Sequence, residues 1–164
     1  GWPKGEIYVL PIAGWEMFSR RFSANAAPTA GLTAGYRRYE HFAFEASALW
    51  QGLAFNDGLE ELSLNGVELT GRVLYYPWGG HSGPYLAALG GALRLGGTGR
   101  PPEGTVTYGL LGYGAGADLY VASSVALRGE MLHLLYTDVV PLGAVSSVGM
   151  ASGLRTGLGL KFAF

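Results

Sequence analysis

His133 and Ser152 are the two residues of this chain whose types suit a reaction. A histidine beside a serine is the nucleophile–base unit of acyl transfer, in which the imidazole takes the hydroxyl proton as the oxygen attacks a carbonyl. That unit also needs a third group, ordinarily a carboxylate, to orient the imidazole. None falls on the same face as His133 in the pattern described below. His41 and His81 lie in short turn-like stretches and read as solvated polar residues. The chain has no Gly-x-Ser-x-Gly elbow, no His-Glu-x-x-His, no P-loop and no dinucleotide fingerprint. It has no cysteine, which excludes a disulfide scaffold and thiolate metal sites, and no cofactor is expected.

The elements that would position such a pair are strands. Of 164 residues, 28 are Gly and 49% are hydrophobic, yet no apolar run approaches the ~18–20 residues of a spanning helix. Charged residues make up 14% with a net charge of −1, so no nucleic-acid partner is expected. The length suits one domain over residues 1–164. The start, Gly-Trp-Pro without Met, is what a processed exported protein or an otherwise trimmed chain would show.

Alternation and breakers predict eight segments: Glu6–Phe18, Thr29–Arg38, Phe42–Phe55, Glu68–Tyr76, Tyr85–Leu95, Val106–Tyr120, Val125–Tyr136 and Gly149–Phe164. Most match or exceed the ~9–11 residues with which a tilted strand crosses a bilayer. Short turns (Tyr39 to His41, Pro77 to Pro84, Val121 to Ser124) alternate with longer polar connections around Ser19–Pro28, Asn56–Val67, Gly96–Thr105 and Asp138–Val148. Even-stranded membrane barrels have this asymmetry of turns and loops.

Charge parity sharpens the reading. Counting by twos along each segment places Glu16, Arg37, Glu45, Glu68, Arg72, Arg94, Asp118, Arg128, Glu130, Arg155 and Lys161 on one common face. Large aliphatic and aromatic residues take the other. A soluble barrel would show the reverse, so the charged face is predicted to line a narrow interior, where ions must pair to offset desolvation of several kcal/mol each. Two outward aromatic girdles are predicted. Trp15, Trp50 and Tyr108 stand near the loop end; Tyr36, Phe42, Phe44, Tyr75, Tyr85, Phe162 and Phe164 stand near the turn end. Pro11, in mid-strand, predicts a bulge or a local break.

The chain thus reads as an all-β, eight-stranded, antiparallel up-and-down transmembrane barrel. It resembles the small outer-membrane proteins typified by the OmpA transmembrane domain and OmpX. The matching pieces are Gly35-Tyr36 with Phe42-Ala43-Phe44-Glu45, then Gly83-Pro84-Tyr85-Leu86-Ala87-Ala88. Gly114-Ala115-Gly116-Ala117-Asp118-Leu119 runs into Val125-Ala126-Leu127-Arg128-Gly129-Glu130, and the last strand reads Gly-Leu-Gly-Leu-Lys-Phe-Ala-Phe. The resemblance implies the bacterial outer membrane, contact with a lipopolysaccharide-type leaflet, and recognition of Leu160, Phe162 and Phe164 by barrel-assembly machinery.

Within such a barrel, His133 points outward near the loop end, with Ser152 on the next segment as its cross-strand neighbour. This placement resembles lipid A deacylases of the PagL type. That family carries His-x-Ser-Asn on one strand, whereas this chain reads His133-Leu134-Leu135-Tyr136. With eight strands the interior is just wide enough to be filled by side chains. The expected protein is therefore non-enzymatic, with a salt-bridged interior, serving envelope integrity or contacts through its loops. A lipid-modifying hydrolase and a narrow pore are the alternatives. Asp57, Glu60 and Glu61 would give one loop an acidic tip, and Arg20 and Arg21 are placed to meet lipid phosphates. A loop-binding protein partner is left unspecified.

Overall fold

Val, Ile, Leu, Tyr and Phe alternate with Gly, Ala, Thr and charged residues along each long segment, and the backbone follows this period of two as strand. The computed structural model describes residues 5–18, 27–56, 61–97, 106–138 and 151–164. They form eight strands: β1 (Glu6–Phe18), β2 (Ala27–Arg37), β3 (Phe42–Asn56), β4 (Glu61–Tyr75), β5 (Gly83–Gly97), β6 (Val106–Tyr120), β7 (Val125–Asp138) and β8 (Ala151–Ala163). Each pairs antiparallel with its neighbour in sequence, and β1 pairs with β8, so the sheet closes on itself and leaves no edge.

Which way the side chains point settles the solvent. Ile7, Leu32, Leu69, Leu86, Leu111 and Leu158 stand exposed on the outside, while Arg37, Arg128, Glu68 and Lys161 are buried within. A barrel with charges inside and aliphatics outside is built for lipid. With strands of 11–15 residues, it crosses the membrane by strands.

The turn end is tightly tied. Tyr76 N–H donates to the His41 carbonyl at 2.7 Å, and His41 Nδ1 lies 2.8 Å from the Tyr76 carbonyl. Gly79 and Gly80 adopt φ of 63° and 78°, left-handed values that Gly reaches without strain. The Gly80 amide then reaches Glu40 Oε1 at 3.3 Å, joining two adjacent turns.

Pro11 produces the predicted local break, without a bulge. The β1–β2 ladder runs through Pro11↔Leu32 without interruption. On the other side, pairing stops at Val9↔Phe162 and resumes at Ile12↔Gly159 in the same register. The missing N–H of proline is the cause. Outside this seam lies a shallow apolar groove of about 540 Å³, lined by Pro11, Ala13, Ala30, Leu158 and Leu160 among others.

The main difference in extent concerns β4. Residues 61–67, expected within a loop, continue the ladder, with Asn56↔Glu61 and Leu53↔Leu64 as pairs. The β3–β4 hairpin therefore extends past the length that a bilayer requires.

Candidate functional site

Two sites were foreshadowed by the sequence, one outward at His133 and one inside the barrel. On the outside, the register sets His133 opposite Leu154 and Ser152 opposite Leu135. The two are therefore diagonal neighbours, one step removed from a directly opposed pair. His133 Nδ1 instead lies 3.0 Å from the hydroxyl of Tyr113, directly opposite on β6, and the two rings meet edge to face with centroids 5.3 Å apart. Tyr113 and His133 form an amphipathic ring pair on the lipid-facing surface.

The girdles are placed largely as expected. Trp15 and Trp50 are outward toward the loop end; Tyr36, Phe42, Phe44, Tyr75, Phe162 and Phe164 are outward toward the turn end, where Tyr39 and Trp78 join them. Leu160 is also outward. Two assignments fail. Tyr85 is buried, and Tyr108 packs against the buried apolar cluster of the interior.

Inside, Glu16, Arg37, Glu45, Glu68, Arg72, Asp118, Arg128, Glu130, Arg155 and Lys161 are all buried. Arg94 is the exception: it is exposed, and Leu93 is buried in its place. The errors at Tyr85 and Arg94 have one origin. Assigning β5 by its single charge inverted the whole strand, whereas its inward face is Tyr85, Ala87, Leu89 and Leu93. Those side chains join Leu110, Leu132 and Leu134 in an apolar wall along β5–β7, which a charge at Arg94 would interrupt. Arg94 instead stands exposed on the outer surface, a position from which a long arginine stem can carry its charge to water.

The polar interior has two layers. Toward the turn end, Arg128 binds Asp118 through Nε and Nη2 (2.7 and 3.1 Å) and Glu45 through Nη1 (2.5 Å). Arg72 Nη1 lies 3.0 Å from both oxygens of Glu130. Lys161 Nζ meets Glu6 Oε1 at 3.0 Å and Asp118 Oδ2 at 3.4 Å, and lies 4.2 Å from the Tyr8 ring centroid. The Arg37 guanidinium stacks 3.8 Å from the Tyr76 ring centroid. Toward the loop end, Arg155 Nη2 stands between Glu16 Oε1 (2.8 Å) and Glu68 Oε2 (2.6 Å).

Tyrosines complete this network, and the parity count had not singled them out. Tyr8 donates to Glu45, Tyr76 to Asp118 (2.8 Å), Tyr85 to Glu130 (2.7 Å), Tyr120 to Glu6 (2.8 Å) and Tyr136 to Glu16 (2.7 Å). A phenol satisfies a carboxylate without adding charge, which lets a narrow lumen keep its ion count balanced. Tyr76 lies just beyond β4, where burial pushes its phenol up from the ordinary value and keeps it a donor. The signal was available: Tyr8 shares parity with Glu16, and Tyr136 with Glu130. Glu6, at the start of β1, was likewise missed.

Arg128, paired with Glu45 and Asp118 and buried, ties β7 to β3 and β6 across the interior. Among the described residues, no cluster of three His, Cys, Asp or Glu side chains is arranged to hold a metal. Arg20, Arg21, Asp57 and Glu60 lie outside the described residues, as does the side chain of Glu61.

No protein-family model and no curated protein sequence matches the chain. Solved structures do match its fold. It superposes on Neisserial surface protein A with a TM-score of 0.72 at 18% identity, covering 96% of this chain and 97% of that one. For the outer membrane protein OprG of Pseudomonas aeruginosa, the TM-score is 0.63 at 12% identity, covering 98% and 96%. For the N-terminal β-barrel domain of OprF from the same organism, it is 0.56 at 15% identity, covering 98% of each chain. The chain therefore has the fold of the small eight-stranded outer-membrane barrels, as its strand pattern implied.

Proposed function

We propose that this chain is an integral protein of the bacterial outer membrane whose barrel is a sealed, non-catalytic platform. It serves envelope integrity, or contacts made by the longer connections at one end. The observation that carries this reading is the turn-end layer: Arg128, Asp118, Glu45 and Lys161 interlock across the lumen from β7, β6, β3 and β8. With the loop-end layer, ten charged side chains are buried in the interior, most of them in ion pairs, which favours a closed lumen.

The outward surface supports the same reading. Its girdles suit a lipopolysaccharide-type leaflet on one side and a phospholipid leaflet on the other. Leu160 and Phe162 on β8, with Phe164 just beyond it, offer barrel-assembly machinery an apolar stripe. His133 pairs with Tyr113, which fits a residue anchoring the barrel at headgroup level.

The test uses the detergent-folded protein in two assays. In planar bilayers, the barrel gives no discrete conductance steps; steps abolished by tightening the interior would favour a pore. Incubated with lipid A, it releases no fatty acid. Release that is lost in His133→Ala would overturn the platform in favour of a hydrolase.

A further inference from the structure

Among the described residues, Arg94 is the single charged side chain on the lipid-facing side of a strand, and it stands exposed three positions before β5 ends at Gly97. It forms no ion pair or hydrogen bond with the described residues. An arginine in the outer wall of a membrane barrel is disfavoured unless water or an anion meets its guanidinium.

The wall beside Arg94 is hollow. Ala92, Gly90 and Ala88 follow it along the outward face of β5, and Gly90 stands opposite Gly71 on β4 and Leu111 on β6. A Cβ added at Gly71 would meet nothing within 4 Å, and one at Gly90 would come no nearer than 3.5 Å to Leu111. Leu69 and Val73 of β4 and Leu111 and Tyr113 of β6 stand exposed on the two flanks. An apolar groove therefore starts at a cation and descends toward the turn end. From Arg94 to Ala88 the strand runs about 20 Å at ~3.4 Å per residue. Tilted by ~45°, it covers about 14 Å of depth, close to one leaflet of a ~30 Å hydrocarbon core.

We propose that this groove seats one acyl chain of a phosphorylated glycolipid of the lipid A type, with Arg94 holding a phosphate of its headgroup. The inference rests on the outer-membrane reading above, in which the long loops are extracellular and Arg94 lies in the lipopolysaccharide-type leaflet. A guanidinium engages two phosphate oxygens at once in a fixed plane, which suits it to this anion. Trp50 stands on the same row of the ladder, through Trp50↔Val67 and Val67↔Arg94, so a ring of the loop-end girdle lies two strands away. A second copy of the chain fits less well. It would have to offer a carboxylate from its own outer wall, and the described strands carry none there.

The experiment is native mass spectrometry of the detergent-folded protein titrated with diphosphoryl lipid A, with lipid A stripped of its phosphates, and with phosphatidylglycerol. Diphosphoryl lipid A binds about tenfold more tightly than the stripped form, and more tightly than phosphatidylglycerol. Arg94→Gln removes that preference. Gly71→Leu fills the hollow, leaves the charge in place and weakens binding of both forms of lipid A. The heat-modifiable gel shift confirms that each variant is folded. Arg38→Gln, at an exposed arginine of the turn end, leaves binding unchanged. Undiminished preference in Arg94→Gln would place the phosphate elsewhere and overturn the site. Binding that survives Gly71→Leu intact would reduce it to a charge contact without a seat for the chain, and overturns it too. Equal affinity for phosphatidylglycerol overturns the choice of glycolipid, and an equal loss in Arg38→Gln shows only diffuse attraction between charges. Conduction or fatty-acid release would remove the sealed, non-catalytic platform and leave this site standing, because neither readout passes through Arg94.

Discussion

Arg128 holds Asp118 from the directly opposed position in the β6–β7 ladder, with Nε 2.7 Å from Oδ1 and Nη2 3.1 Å from Oδ2. Two parallel bonds of this kind fix the guanidinium plane. With its plane fixed, Nη1 is left to cross the lumen to Glu45 on β3. Local ladder geometry thus sets a long-range contact that spans the barrel interior.

The first prediction follows from this geometry. Arg128→Met keeps the bulk of the stem and strands two buried carboxylates, so it costs about 3–5 kcal/mol of stability. Combining it with Asp118→Asn and Glu45→Gln removes the stranded charges and recovers much of the loss. Urea midpoints of the detergent-folded protein, read by the heat-modifiable gel shift, measure both. A single variant as stable as the parent would show that the pairs are not what closes the lumen.

Tyr85 and Tyr75 test which tyrosines face inward. Tyr85→Phe deletes a buried donor to Glu130 and costs about 1–3 kcal/mol, partly cushioned because Arg72 still holds the carboxylate. Tyr75 is outward, its ring 5.2 Å from that of Phe42. Tyr75→Phe falls within about 0.5 kcal/mol of the parent, as surface changes generally do. The same urea titration separates them, and equal losses at the two positions would contradict the orientation of β5.

Arg94 and Leu93 give a sharper test of that strand, because the chain contains no cysteine to confuse labelling. Arg94→Cys exposes a thiol on the outer surface; Leu93→Cys buries one beside Glu68. Reaction with a maleimide dye is about tenfold faster or more at position 94, since a thiol buried in apolar surroundings is slow to react. Mass spectrometry of timed aliquots reads the ratio. A faster reaction at position 93 would restore the charged inward face that the sequence suggests.

That strand marks the limit of what could be read from sequence. Seven strands carry an inward charge among bulky outward residues, and parity orients them; Tyr108 was misplaced against that count, since it shares parity with the inward Asp118 on β6. On β5 the one charge is Arg94, close to the strand's end at Gly97 and exposed on the outer surface. A charge near a strand end therefore says little about the face it occupies, and Tyr85 was the better guide. Its hydroxyl needs a partner, which Glu130 provides inside the barrel. The outward pair was legible only in part. Alternation put His133 and Ser152 on one face, but relative height depends on hairpin stagger across the loop between β7 and β8, which local sequence does not encode. The true partner, Tyr113, lies on the other neighbouring strand.

Glycine spacing yields the last prediction. Gly14 faces inward on β1, where an added Cβ would press into the Thr156 carbonyl oxygen and come within 2.8 Å of the Gly157 Cα. These are backbone atoms of β8, held in the ladder by Gly14↔Gly157 and Trp15↔Thr156, so they cannot swing aside as a side chain would. Gly14→Ala must therefore push apart the β1–β8 seam, which is already one ladder segment short at Pro11, and costs about 1–3 kcal/mol. Gly71 faces outward on β4 with nothing within 4 Å of an added Cβ. There, replacing Gly by Ala reduces the freedom of the unfolded chain and raises stability by about 0.4–1 kcal/mol. The two substitutions are chemically identical and differ only in what the new methyl meets. Opposite shifts in the urea midpoint are expected, with hydrogen exchange at the Ile12 and Trp15 amides accelerated in Gly14→Ala alone. Parallel shifts would mean that helix-like or unfolded-state propensity, rather than close strand approach at the seam, sets the requirement for glycine.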